Sequence, residues 1–357
     1  MQNKIARAKP LVLMQWLAEA TRALGVGEHT YVVGGAVRNF ILKEPIKDLD
    51  LVIDSLRAGR DSEWLAKQLQ TRIPTETSLV TNQYGVAILT VRGSWEVKGT
   101  DLQGEVVEIA NAREESYSKS TELKGQNYKP VDVQPSTIEQ DVTRREFTMN
   151  TLLWRLKDLV HGPEQAEILD LTGQGLRDLQ EGWLRTPVDP DKVFADDPTR
   201  ILRIAKFAIR YNLKVPPDVA AAAKRQAPGL KDMPHNAVSK LLIDVVLPHP
   251  KALRLMDSLG VIDVIKEMVT ENKSFREALT NWVSSTAIQH MFFLMDMGLP
   301  PGTKLAFLSP QEQERVREIT WGLPDDEAMR YVNALRQPGK VVDFPRIMRE
   351  FGLSGAG

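Results

Sequence analysis

The chain has 357 residues, with 46 Lys and Arg against 47 Asp and Glu and a formal net charge of −1. That length suits about two domains, and 42% hydrophobic with 26% charged residues is ordinary for a globular chain, which excludes a disordered or collagen-like one. Cysteine is absent, so a disulfide scaffold, a thiolate metal site, a catalytic thiol and an iron–sulfur centre are excluded. Leu11–Leu24 is interrupted by Gln15, Glu19 and Arg22, too polar for the core of a signal peptide, and no apolar run nears the roughly 18 residues of a membrane span. A cytoplasmic protein is expected. A pI near 6.6 argues against indiscriminate nucleic-acid binding but leaves room for a local basic stripe that serves one nucleic-acid partner.

In chain order, helical spacing of apolar residues predicts an opening helix over Leu11–Leu24, stopped at Gly25. Runs dense in Val, Ile and Leu predict strands at Thr30–Val33, Leu49–Ile53, Val86–Val91 and Glu105–Ile109. Strands interleaved with helices or turns mean an α/β or α+β head. Glu114–Pro135 is polar and without apolar period, and reads as a long functional loop. Beyond about Gly175 helical periodicity takes over, at Pro198–Asn212, Ala237–Leu247, Lys251–Leu259, Phe275–Met295, Gln311–Ile319 and Asp326–Leu335, with prolines between helices. The expected division is a head over 1–173, a helical neck over 174–235, and a helical body and tail over 236–357. The aromatic-rich Trp282–Phe293 is most simply core.

Four constellations bear on chemistry. In the first, Val33-Gly34-Gly35-Ala36-Val37-Arg38 places two glycines between a strand and a helix, where backbone can approach a ligand closely. Asp48 and Asp50 follow on one face of the next strand, and two adjacent carboxylates repel unless cations sit between them. A solvated strand end is the plain alternative for Asp-x-Asp, and the glycine pair with Arg38 upstream tips the reading towards metal. The second is Glu108, a single acid in an apolar run: it is equally an edge-strand surface residue or, if its strand adjoins the Asp pair, a third carboxylate. Three acids could hold two Mg²⁺ ions that clamp an attacking hydroxyl and a triphosphate.

The third is Asp141-Val142-Thr143-Arg144-Arg145-Glu146-Phe147-Thr148-Met149-Asn150. Adjacent arginines suit a polyphosphate, while an exposed helical charge cluster with Asp141 paired to Arg145 is the common alternative. The fourth is Phe194-Ala195-Asp196-Asp197-Pro198-Thr199-Arg200. Asp before Pro is an ordinary helix start. Asp197 and Arg200, three apart, also set an acceptor beside a donor, which matches the amine and unprotonated ring nitrogen of cytosine or adenine and opposes guanine and uracil. On the same helix Arg200, Arg203, Lys206, Arg210 and Lys214 form a basic stripe, and Arg200 to Lys231 holds eight basic residues against one acid, Asp218.

Together, in this order, these motifs resemble the class II tRNA nucleotidyltransferase and bacterial poly(A) polymerase family, over roughly Tyr31 to Leu213. Glu108-Ile109-Ala110-Asn111-Ala112-Arg113, with Glu115 and Tyr117, looks like the family segment that supplies the third acid. The resemblance implies an α+β, polymerase-β-like nucleotidyltransferase head with a mixed sheet, followed by an all-α neck, body and tail. It implies catalysis by Asp48, Asp50 and Glu108, with Asp48 and Asp50 as ligands of two Mg²⁺ ions. It implies nucleotide binding by Gly34, Gly35, Arg38, Arg113, Arg144, Arg145, Asn150, Asp197, Arg200 and Arg203, and RNA binding by Lys206, Arg210 and Lys214. The implied reaction adds C, C and A to the 3′ end of tRNA from CTP and ATP, with the acceptor arm as partner and neither membrane nor DNA involved. Alternatives are a CC-adding, A-adding or poly(A)-making relative, or a non-catalytic RNA-binding protein of the same fold. Asn39 and Glu146 stand where the family usually has Asp, Asp196 where it has Glu, and Lys206 where it has Arg. The 114–135 segment departs further, with extra residues around Lys124–Lys129 and no arginine.

Overall fold

A computed structural model describes residues 9–82, 84–116, 132–242 and 250–273, together with 245, 275 and 277. The described residues divide into two compact units, one running to Val193 and the other starting at Phe194.

The first unit contains α1 (Lys9–Ala23), β1 (Thr30–Val33), α2 (Gly35–Ile41), β2 (Leu49–Ile53), α3 (Ser55–Ala58), α4 (Ser62–Gln70), β3 (Thr77–Thr81) and β4 (Ala87–Val91). The short β5 (Glu96–Val97) and β6 (Thr100–Asp101) come next, then β7 (Val106–Asn111), β8 (Arg113–Ser116) and β9 (Asp132–Pro135). After α5 (Ile138–Thr143), β10 (Leu153–Arg155), β11 (Ile168–Leu169) and α6 (Gly175–Glu181), the boundary between units falls within α7 (Pro190–Asp196). Seven strands form one mixed sheet in the order β11-β10-β1-β2-β7-β4-β3. Only β2 and β7 run parallel; the other neighbours in that sheet are antiparallel.

β1 is apolar or Thr throughout and buried at all four positions, as a central strand should be. In β2 the lone half-buried residue is Asp50, set among buried Leu49, Leu51, Val52 and Ile53. Tyr31, Val33, Val52, Ala112, Ile138, Val142 and Leu153 make one core cluster, so α5 covers the sheet at Val52, two residues along the strand from Asp50. Buried Asp54 secures that corner: one carboxylate oxygen accepts from Arg57 N at 3.1 Å, the other from Ile138 N at 3.2 Å, at the start of α5. Loss of such a buried acceptor would strand two backbone donors. Further on, the 3-10 turn Thr148–Asn150 is pinned by the Thr148 hydroxyl donating to buried Asp178 at 2.6 Å.

The second unit contains α8 (Thr199–Arg210), α9 (Pro217–Gln226), α10 (His235–Leu241), α11 (Pro250–Ser258) and α12 (Val261–Glu271), with α8 packed on α10 and α11. The inner face of α8 buries Ile201, Leu202, Ile204, Ala205, Phe207 and Ala208.

The strands expected at Thr30–Val33 and Leu49–Ile53 are found at those bounds. The 114–135 segment is not loop throughout: β8 and β9 pair antiparallel at its two ends, Arg113 opposite Pro135 and Ser116 opposite Asp132. Strands β3, β10 and β11 complete the sheet beyond those expected. The expected helices at 311–319 and 326–335, most of that at 275–295, and the Lys124–Lys129 insertion lie outside the described residues.

Candidate active site

In the parallel pair β2/β7 the register sets Asp50 directly against Glu108. Glu108 therefore adjoins the Asp pair, rather than lying on a remote edge. Burial first, then the Glu108 carboxylate, push the Asp50 carboxyl up to about 6; Asp48 adds to the rise and Arg145 opposes it. Among the described residues, none of Asp48, Asp50 and Glu108 forms an ion pair with Lys or Arg. Asp48, just before β2, and Glu108 are exposed. Three acids thus share one region, and Arg145 offsets their repulsion only in part, without pairing with any of them.

Gly34 lies between this acid group and the paired arginines. Its φ is +69°, in the left-handed region, and a Cβ there would stand 3.7 Å from both Arg145 Nη1 and Asp50 Oδ2. The turn brings bare backbone between a carboxylate and a guanidinium, which is what the glycine pair is needed for.

The arginines are held by a buried carboxylate. Asp141 Oδ2 accepts from Arg145 Nη2 at 2.8 Å, and Oδ1 accepts from Arg144 Nε at 2.9 Å. Arg144 Nη1 also donates to Glu115 at 3.1 Å, and Glu115 accepts from Arg113 Nε at 2.8 Å. Burial works to raise the Asp141 carboxyl, but Arg145 and Arg144 outweigh it and hold it below the ordinary carboxylate range. The i,i+4 pairing expected for Asp141 and Arg145 is present, yet the cluster is no exposed helical face: Asp141 is fully buried, and both arginines follow the end of α5. Arg145 Nε is also buried and has no hydrogen-bond partner among the described residues.

The resemblance puts Arg38 and Asn150 among the nucleotide ligands. In the structure both are buried and joined to each other, Arg38 Nη1 donating to Asn150 Oδ1 at 2.5 Å. In the second unit Asp197 has two partners. Its Oδ1 accepts from Thr199 N at 2.9 Å and from the Thr199 hydroxyl at 2.5 Å, and its Oδ2 lies 3.8 Å from Arg200 Nε. The capping interaction and the acceptor-beside-donor arrangement coexist. The expected stripe is shorter than its sequence. Arg200 is buried, Arg203 half-buried, Lys206 and Arg210 exposed, and Lys214 lies past the helix, beyond a turn in which Asn212 takes φ +50°.

Residues 30–185 match the family described as the poly A polymerase head domain. The match takes in under half of the chain, and over it the chain is similar to class II nucleotidyltransferases. It is 30% identical over 191 residues to the mitochondrial CCA tRNA nucleotidyltransferase of Saccharomyces cerevisiae, covering 53% of this chain and 32% of that one. It is 31% identical over 247 residues to the CC-adding tRNA nucleotidyltransferase of Deinococcus radiodurans, covering 69% of this chain and 58% of that one. The chain spans less than two thirds of either relative's length. Its fold is like that of a CCA-adding enzyme in its apo form, at a TM-score of 0.59 and 22% identity over 95% of this chain and 73% of that structure.

Within this nucleotidyltransferase head, the chemistry of the donor set fits Mg²⁺. No three His, Cys, Asp or Glu among the described residues converge as a ready-made metal cage. Mg²⁺ does not require one, since it takes one or two carboxylates and fills its octahedron with water and substrate phosphate. Asp48 and Asp50, hard oxygen donors lacking cationic partners, answer that description. Asp141 and Glu115 carry no functional role in the motifs above. The Asp141 signal was its spacing to Arg145; the Glu115 signal was its place beside Arg113. No helix among the described residues is long and apolar enough to cross a membrane.

Proposed function

We propose that this protein adds C, C and A to the 3′ end of tRNA from CTP and ATP without a nucleic-acid template. The observation that carries this reading is the opposition of Asp50 and Glu108, with Gly34 between Asp50 and Arg145. That arrangement sets metal-binding acids on one side of bare backbone and an anion-binding group on the other. In the reaction the tRNA 3′-oxygen bonds the α-phosphorus, the α–β phosphoanhydride breaks, and pyrophosphate leaves. Two Mg²⁺ ions held through Asp48 and Asp50, with Glu108 beside them, would supply Lewis acidity to the attacking hydroxyl and the phosphate.

The remaining work falls to the chain's own groups. The backbone of Gly34 and Gly35 and the guanidinium of Arg145 hold the triphosphate. Asp141 aims Arg145, while Arg113 and Arg144 share Glu115 as a second cationic tier behind it. Asp197 accepts the exocyclic amine of cytosine or adenine, and Arg200 donates to the unprotonated ring nitrogen, with Arg203 on the same helix. Lys206, Arg210 and Lys214 take phosphates of the acceptor arm.

Labelled single nucleotides, Mg²⁺ and tRNAs ending before the first C, after one C and after two C test this. Two C additions and one A are expected. C alone would match the CC-adding relative, A alone or long A tails would assign the other partial activities, and no transfer would leave an RNA-binding protein of this fold.

A further inference from the structure

We infer that Glu146 and Asn150 are positioning residues that act through Arg38 on the Gly34–Gly35 turn and so set the grip on the nucleotide triphosphate. The inference rests on the reading of that turn as the triphosphate cradle. Four side chains form one line of hydrogen bonds. Asn150 Nδ2 donates to Glu146 Oε1 at 3.0 Å, and Asn150 Oδ1 accepts from Arg38 Nη1 at 2.5 Å. Arg38 Nε and Nη2 both donate to Asn39 Oδ1, at 3.1 and 2.8 Å, and Asn39 Nδ2 donates to Pro45 O at 2.9 Å.

The chemistry of each link fixes its direction. A carboxylate only accepts and a guanidinium only donates, so the Asn150 amide has one usable orientation; turned over, it would oppose both neighbours. Asn150 therefore bridges the Glu146 carboxylate and a buried cation with its amide dipole aligned to both. An apolar residue there would leave a buried guanidinium and a carboxylate each short of a bond.

The position of this line gives it a consequence for the substrate. Its Glu146 end follows Arg145 in the chain, and its Pro45 end lies in the segment leading to Asp48. Between them the Arg38 guanidinium backs the turn, with Nη2 only 3.4 Å from where a Cβ on Gly35 would sit. The 3-10 turn that carries Asn150 is itself pinned through Thr148 to Asp178. Arg38 thus props the glycine turn from behind, and a shift of the guanidinium moves the backbone that faces the phosphates.

The test is steady-state transfer of CTP to tRNA by Asn150→Ala, Glu146→Gln and the double variant Asn39→Asp with Asn150→Ala. In the double variant a carboxylate meets Arg38 directly from the other side. Asn150→Ala is expected to raise the KM for CTP about tenfold, with kcat within about twofold and the KM for tRNA unchanged. The double variant is expected to bring the CTP KM back to within about threefold of wild type. An unaltered CTP KM would overturn the proposal, as would a joint loss of kcat and stability that the added carboxylate leaves unrescued. If Asn150→Ala does not fold, Glu146→Gln carries the test: it keeps an acceptor for Asn150 and removes the charge, and a CTP KM raised about threefold supports the role while an unchanged one overturns it. Wild-type protein that transfers no nucleotide would instead sink the cradle reading.

Discussion

Asp50 and Glu108 stand side by side across the single parallel strand pair of the main sheet, and the Glu108 carboxylate makes Asp50 harder to ionise. Parallel neighbours carry paired residues on the same face at the interstrand spacing, so two carboxylates are held where a divalent cation would relieve the repulsion.

This strain has a pH signature in the metal-free protein. The Asp50 carboxyl is raised from 3.8 to about 6, so its protonated form stabilises the fold below pH 4 and that contribution is lost as pH rises through 6. Asp50→Asn is expected to be more stable than metal-free wild type at pH 8, by about 1–2 kcal/mol, and no more stable at pH 4. Mg²⁺ is expected to raise the wild-type Tm more at pH 8 than at pH 5, where protons compete for the same oxygens. Thermal melts with and without Mg²⁺ check both.

Asp141 gives the opposite pH dependence. Its carboxyl is held low by Arg145 and Arg144, so its contribution is in place above the ordinary value of 3.8 and is lost as pH falls through the lower folded value. Asp141→Asn strips Arg145 of its carboxylate partner and leaves Arg144 paired with Glu115, and is expected to cost about 3 kcal/mol in denaturant unfolding at pH 7. It is also expected to weaken CTP binding by releasing Arg145, which equilibrium binding of labelled CTP measures.

Gly34→Ala asks an alanine to hold φ +69° and brings a methyl to within 3.7 Å of both Asp50 and Arg145. A stability loss of about 1–2 kcal/mol is expected from the backbone alone. A larger effect, about 100-fold in kcat/KM, is expected from crowding of the phosphate side, so residual activity at a temperature where the variant is fully folded separates the two.

Much of the head was legible and much was not, for identifiable reasons. Thr30–Val33 and Leu49–Ile53 are short, apolar and bounded by turn residues, so local pattern was enough. Strand β3, Thr77–Thr81, is an edge strand whose Val80 is exposed, and it shows no clean alternation. The β8/β9 stem is held by backbone pairing and not by an apolar face, so its polar composition reads as loop. Asp48 and Asp50 stand out through their spacing taken together with the glycine pair and Arg38 upstream. That Glu108 opposes Asp50 is a matter of strand order, which no local window contains. The burial of Asp141 was likewise unreadable, since an i,i+4 pair looks the same on a wet face and under a sheet.

Asp197 caps Thr199, and two substitutions separate that contact from the base-reading role proposed for it. Asp197→Asn keeps an oxygen for Thr199 N while removing the charge beside Arg200; Asp197→Ala removes both. Both variants are expected to accept the four nucleotides less selectively, and only the alanine variant should lose about 1 kcal/mol of stability as a lost cap. Single-nucleotide incorporation and thermal melts read the two effects apart.

The most direct test of the metal-centred account is the rate of CTP transfer to tRNA lacking its 3′ end, measured across a Mg²⁺ titration for wild type and Asp50→Asn. Wild type is expected to require the cation and to lose at least about 1,000-fold in rate on substitution, with tRNA affinity within about twofold. Transfer that proceeds without divalent cations, or an Asp50→Asn enzyme within tenfold of wild type, would contradict it.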